Sequence, residues 1–108
     1  MESFEILDVI TMQKSLGERY LEFFKGDNLS LGLYSLRVGD EDTQQPHTED
    51  EVYYVVSGHA KLKVGDNDRS VKPGSIVFVS AGVEHLFHEI TETLMVMVVF
   101  APPRDSQT

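Results

Sequence analysis

The stretch DTQQPHTEDEVYYVVSG, from Asp42 to Gly58, decides how the rest of the chain is read. An amide-rich start leads through His47 into Glu49, Asp50 and Glu51, and then into the run Val52–Val56. His47 and Glu51 stand four apart and would share a face of a helix. The VYYVV run is β-branched and aromatic and favours a strand instead. In a strand, alternate side chains share a face, so Gln45, His47, Glu51, Tyr53 and Val55 point to one side. Tyr53 and Val55 are core residues by type, so that side is the interior, and His47 and Glu51 sit where the interior meets its mouth. A carboxylate buried there is costly unless it is paired, hydrogen-bonded or metal-bound. A divalent cation would meet the need if a second strand supplied further ligands. His85 is the best candidate, because it opens the strand-like HLFHEI after the break Ser80-Ala81-Gly82.

Outward from this stretch the chain reads as short strands. Arg19–Lys25 is apolar and aromatic, and Gly26-Asp27-Asn28 is turn chemistry. Leu29–Val38 alternates, with one phase slip near Tyr34–Ser35 of the kind a bulge produces. Ala60–Val64 alternates with lysines outward, and Gly65-Asp66-Asn67-Asp68 signals a hairpin. Pro73-Gly74 predicts a turn before the strand Ile76–Val79. Glu84–Ile90 and Leu94–Phe100 read as two strands joined by a turn at Thr91–Thr93. Ile10–Gly17 has room for a helical turn, so residues 1–18 are expected as a strand or turn segment packed on a barrel formed by 19–101. The tail 102–108 is expected to fray. Short strands at this spacing indicate an all-β sandwich or barrel.

The chain has 108 residues, the size of one domain. Its formal net charge of -9 would repel a nucleic acid or an anionic membrane surface. No basic patch with interleaved aromatics offsets it, so nucleic acid and membrane are set aside as partners. There is no cysteine, so a metal must use His, Asp, Glu or amide oxygen. The N-terminus lacks the basic and long apolar regions of a signal peptide, and a cytoplasmic protein is expected. Asp40–Glu51 carries six acids and no base, which predicts a solvated loop.

Two spacings resemble a known pattern. Gly39, five residues, Gln45, Pro46, His47, three residues, Glu51, six residues and Gly58 resemble the first cupin motif, G-x5-H-x-H-x(3–4)-E-x6-G. Gly74, five residues, Ser80, Ala81, Gly82, two residues, His85, three residues and Glu89 resemble the second, G-x5-P-x-G-x2-H-x3-N. The departures are Gln45 for the leading histidine, Ser80 for the proline and Glu89 for the asparagine.

The resemblance implies a single-domain jelly-roll β-barrel of the cupin type, all-β, and by analogy a homodimer. It implies one divalent metal ion, Fe, Mn, Zn or Ni, held by His47, Glu51 and His85. Gln45 stands at the fourth ligand position or one shell away. Tyr53 and Phe87 would wall the pocket for a small-molecule ligand, and His59 and His88, of opposite parity, would lie on the surface. The leading functional expectation is a metal-dependent enzyme with dioxygenase-like oxidoreductase chemistry, or a Lewis-acid isomerase or lyase. The alternatives are a non-catalytic binding or sensor cupin and a metal-free sugar-processing cupin.

Overall fold

The computed structural model describes residues 1–105. A helix, α1 (Ile6–Leu16), precedes six strands: β1 (Tyr20–Lys25), β2 (Ser30–Leu36), β3 (Asp50–Val64), β4 (Asn67–Val71), β5 (Ile76–Val79) and β6 (His85–Ala101). They form one antiparallel sheet in the order β1-β2-β6-β3-β4, with β5 also paired to β3. The fold is a single-domain β jelly roll. Among the described residues, no helix is long and apolar enough to cross a membrane.

The two long strands make the barrel. β3 and β6 pair along their whole length, from Asp50↔Ala101 to Val64↔His85, with register shifts between Val55 and Lys61. Those shifts bend the ribbon, so Tyr53, Val55 and Val96 of one half pack with Leu62 and Phe87 of the other in a single core. Gly58 is the pivot. Its φ is +94°, and a Cβ there would lie 2.2 Å from the Thr93 carbonyl oxygen. Only glycine allows both the backbone angle and the approach. The expected break between Val52–Val56 and Ala60–Val64 is therefore a bend within one strand. The expected turn at Thr91–Thr93 is likewise absent. Those residues continue β6, whose irregular residue is Glu89 at φ +47°.

The slip near Tyr34–Ser35 is not a bulge either, because β2 pairs with β6 without a shift from Ser30↔Phe100 to Leu36↔Leu94. Tyr34 and Leu36 face the barrel core. Leu33, wholly buried, lies on the opposite face, and its carbonyl accepts from Gln13 Nε2 of α1 at 3.1 Å. Both faces of β2 are covered, and so both are apolar.

The segment 1–18, expected as strand or turn, contains an 11-residue helix. Val9 and Gln13, four apart, form its buried face. Gly17 ends it in the left-handed conformation, its N–H donating to the Gln13 carbonyl. Gln13 also donates to the Arg19 carbonyl at 3.0 Å, so the helix is fastened to the start of β1 and to β2. Pro103 is buried, and the Arg104 N–H donates to Ser30 Oγ at 3.0 Å. Residues 106–108 lie outside the described residues.

Candidate metal centre

Two hydrogen bonds bring the halves of the site together. The Gly82 N–H donates to the His47 carbonyl at 2.7 Å. The Ala81 N–H donates to Asp50 Oδ1 at 2.9 Å. The loop ending in His47 is thereby stapled to the turn that launches His85. Glu51, at the start of β3, completes a cluster in which one ligand atom each from His47, Glu51 and His85 lie within 4.8 Å of one another. These are the three residues that the strand parity and the two spacings single out.

The state of His85 is set by its partners. Nδ1 lies 2.9 Å from the Val83 carbonyl oxygen. A carbonyl only accepts, so Nδ1 carries the proton and the neutral ring presents a bare Nε2. That atom lies 3.1 Å from Glu51 Oε2, yet it is buried with no aligned hydrogen-bond partner. With the ring neutral this sets a lone pair against a carboxylate; only the imidazolium, with a second proton on Nε2, is drawn to Glu51. Both side chains are about 1 % exposed. Burial works against the imidazolium, but the Glu51 carboxylate and the Val83 carbonyl outweigh it, and the His85 pKa is raised above the ordinary histidine value.

The other oxygen of Glu51 is engaged. Tyr53 Oη lies 3.1 Å from Glu51 Oε1 and 3.3 Å from Gln44 Oε1, and its single proton can serve only one of them at a time. Burial, and then the Glu51 charge, hold the phenol well above its usual pKa, so it stays a donor. Gln44 is oriented by Asp42, whose Oδ2 accepts from Gln44 Nε2 at 2.9 Å. Asp42 also accepts from the Tyr34 hydroxyl at 2.8 Å and from the Phe87 N–H at 2.8 Å. It ties the loop to β2 and β6 at once.

Several expectations are corrected here. Gln45 is exposed, and the amide at the site is that of Gln44. Residues 40–49 pair with no strand, so the alternation of β3 does not extend back to position 45. The solvated reading of Asp40–Glu51 fails for Glu49 and Glu51, both buried, and for the half-buried Asp42. Glu49 lies outside the cluster and accepts from Thr48 Oγ1 at 2.7 Å. Tyr53 reaches the cluster, whereas Phe87 packs behind it, ring centroids 5.0 Å apart, as core. His59 and His88 are outside the site, each beside an acid at the surface. A small cavity of about 40 Å³ adjoins His47 and is lined also by Tyr20, Tyr34, Gln44, Phe100 and Arg104. No motif spacing points to Tyr20 or Arg104. Asp42 carried a signal only as one acid among six.

The donor set suits a divalent ion: two imidazoles, one carboxylate, and a buried nitrogen lone pair with no partner of its own. The arrangement can also hold a proton between His85 and Glu51.

Comparisons with known proteins agree with this architecture. Residues 32–101 match the cupin domain family. The uncharacterized protein SCO3923 of Streptomyces coelicolor is 46% identical over 103 residues, covering 95% of this chain and 98% of that one. The crystal structure of TT1209 from Thermus thermophilus superposes with a TM-score of 0.75 at 25% identity, covering 95% of this chain and 99% of that one. The DMSP lyase DddQ from Ruegeria pomeroyi shares the fold alone, with a TM-score of 0.68 at 24% identity over 77% of this chain and 42% of that one. With its double-length β3 and β6 closing a barrel over His47, Glu51 and His85, and with the family match spanning most of its length, the chain belongs to the cupin family.

Proposed function

We infer that this cupin holds one divalent metal ion at His47, Glu51 and His85 and acts there on a small organic molecule. The observation that carries the reading is His85 Nε2: a buried, unpartnered lone pair beside a buried carboxylate. An atom in that state costs about 1–3 kcal/mol unless something else uses it. A bound first-row ion would supply Lewis-acid polarisation of a substrate oxygen and, if redox-active, O₂ chemistry. The residues around it have definite tasks. The Val83 carbonyl fixes the His85 tautomer, and Tyr53 donates to Glu51 Oε1, leaving Oε2 toward the cluster. Asp42 turns the Gln44 amide so that its oxygen faces inward.

Elemental analysis of protein purified without a histidine tag tests this reading. The expected result is about one ion per chain, lost in His47→Ala and in His85→Ala. Unchanged stoichiometry in both variants overturns it. Loading with Fe(II) under anaerobic conditions and adding nitric oxide then separates the two chemistries. A nitrosyl signal supports an open position suited to O₂, and its absence at an occupied site favours Lewis-acid work.

A second reading has its own support. The raised pKa of His85 beside Glu51 fits a metal-free barrel that uses the pair to hold a proton. Protein that binds no ion, and whose His85 titrates unchanged when metal is added, would establish it.

A further inference from the structure

The cavity beside His47 has a chemistry of its own. Its walls are neutral except for Arg104 and, when protonated, His47. Arg104 is held in place by its backbone, through the bond to Ser30 Oγ and the buried Pro103 before it. Its guanidinium lies 4.5 Å from the centroid of the Tyr20 ring. Stacking occupies the face of the guanidinium and leaves its N–H edge available. Among the described residues, its one acidic contact is the adjacent Asp105 at 3.9 Å, a side chain 71% exposed to water. A chain of net charge -9 thus places a loosely paired arginine at the rim of its candidate site.

Tyr20 supplies the second observation. Its hydroxyl is buried and has no hydrogen-bond partner. It lies over Gly32, where an added Cβ would come 2.0 Å from the hydroxyl oxygen. Gly32 pairs with Val98, which lines the cavity. The bare glycine makes the space that the hydroxyl fills, at a standing cost in unmade hydrogen bonding. Burial raises the phenol pKa, so this oxygen remains a donor at neutral pH. The hydroxyl is spent filling that space and closes the cavity wall, so the planar N–H fork of Arg104 is the donor, and with about 40 Å³ of space it suits a carboxylate and excludes a sugar ring.

We propose that this cavity binds the carboxylate of a small organic acid, with the guanidinium edge of Arg104 as its donor. His47 borders both the cavity and the ligand cluster, so the rest of the acid extends toward Glu51 and His85. In that respect the assignment rests on the metal-site reading, and it names the substrate class for that site.

The test is a chemical-shift titration of metal-free protein with acetate and glycolate, with acetamide and inorganic phosphate as comparisons, repeated on Arg104→Gln and Tyr20→Phe. Acetate and glycolate should bind wild type, and Arg104→Gln should weaken them about tenfold or more. Tyr20→Phe, the control, should leave the affinity within about twofold and thermal stability unchanged or raised, because it deletes an unpaired buried hydroxyl. Acetamide binding as tightly as acetate, phosphate binding as tightly with the same dependence on Arg104, or acetate binding that ignores Arg104→Gln would each overturn the proposal. Metal content of the same variants, measured before the metal is stripped, keeps the two readings apart. Acetate binding that depends on Arg104 in protein that never takes up metal preserves the carboxylate site and removes the metal. Stoichiometric metal with acetate binding indifferent to Arg104 does the reverse.

Discussion

The inside and the outside of the barrel carry the same chemical pair in opposite settings. At the mouth, His85 and Glu51 stand 3.1 Å apart, both about 1 % exposed. On the outside, His59 and Glu92 stand 3.2 Å apart at 48% and 66% exposure, and His88 and Asp68 stand 2.8 Å apart at 30% and 41%. The distances are nearly equal, so distance does not separate a site from a surface contact. Solvent does. Water screens the outer pairs and satisfies their unused atoms, and such pairs contribute about 0–1 kcal/mol. The inner pair has no water to turn to, so each partner depends on the other, on Tyr53 and on Val83.

The sharpest way to break this comparison is to remove one partner from an inner pair and one from an outer pair. In metal-free protein, Glu51→Ala strands His85 in the core and should cost about 3–5 kcal/mol in urea denaturation. It should also abolish metal uptake. Glu92→Ala, its counterpart at the surface, should leave the denaturation midpoint nearly unchanged. A loss below about 1 kcal/mol for Glu51→Ala would mean that the buried pair is solvated.

The next largest effect separates neighbouring glutamines. Gln44→Ala removes the amide oxygen facing Tyr53 and should weaken metal binding about tenfold. Gln45→Ala and Gln45→His, at an exposed position, should leave the affinity within about twofold, read by competition with a chromophoric chelator. Tighter binding by Gln45→His would show that residue 45 reaches the site.

A smaller effect has a sign set by His85. Its pKa in the folded protein is above the unfolded value of about 6.5. The folded state therefore holds the proton more tightly than the unfolded state does. The stabilisation is full below about pH 6.5 and is lost as pH rises through the folded pKa. In EDTA-treated protein, the stability difference between wild type and His85→Gln should shrink from pH 6 to pH 9. A difference that grows with pH would show that the neutral ring is the preferred folded form.

The smallest effects are expected at the outer histidines. His59→Ala and His88→Ala should each shift stability by less than about 0.5 kcal/mol and leave metal content unchanged.

Much of the site was legible because it follows from local rules. Glu51 and Tyr53 alternate at the start of a strand, His85 opens another after a turn, and His47, in the unpaired stretch before β3, is marked by the motif spacing rather than by alternation. What was not legible lies where no strand pairing carries the alternation. Residues 40–49 run unpaired, so Gln44 rather than Gln45 turns inward, and Asp42 becomes a fastener rather than one more solvated acid. The helix α1 has no side-chain N-cap and includes β-branched residues. It is held by Gln13 reaching Leu33, a contact 20 residues away. Tyr20 and Arg104 meet only because the tail returns to Ser30 across the opening of β2.

By itself the sequence determined the strands, the hairpin at Gly65-Asp66, the turn at Pro73-Gly74 and the three residues of the cluster. Those features depend on backbone preference and on a period of two, which act over a few residues. Only the tertiary structure decided that Gly58 and Thr91–Thr93 are bends and not breaks, which amide faces inward, which acids are buried and where Arg104 lies. Those outcomes depend on what packs across the barrel, and contacts between residues distant in the chain leave no local pattern to read.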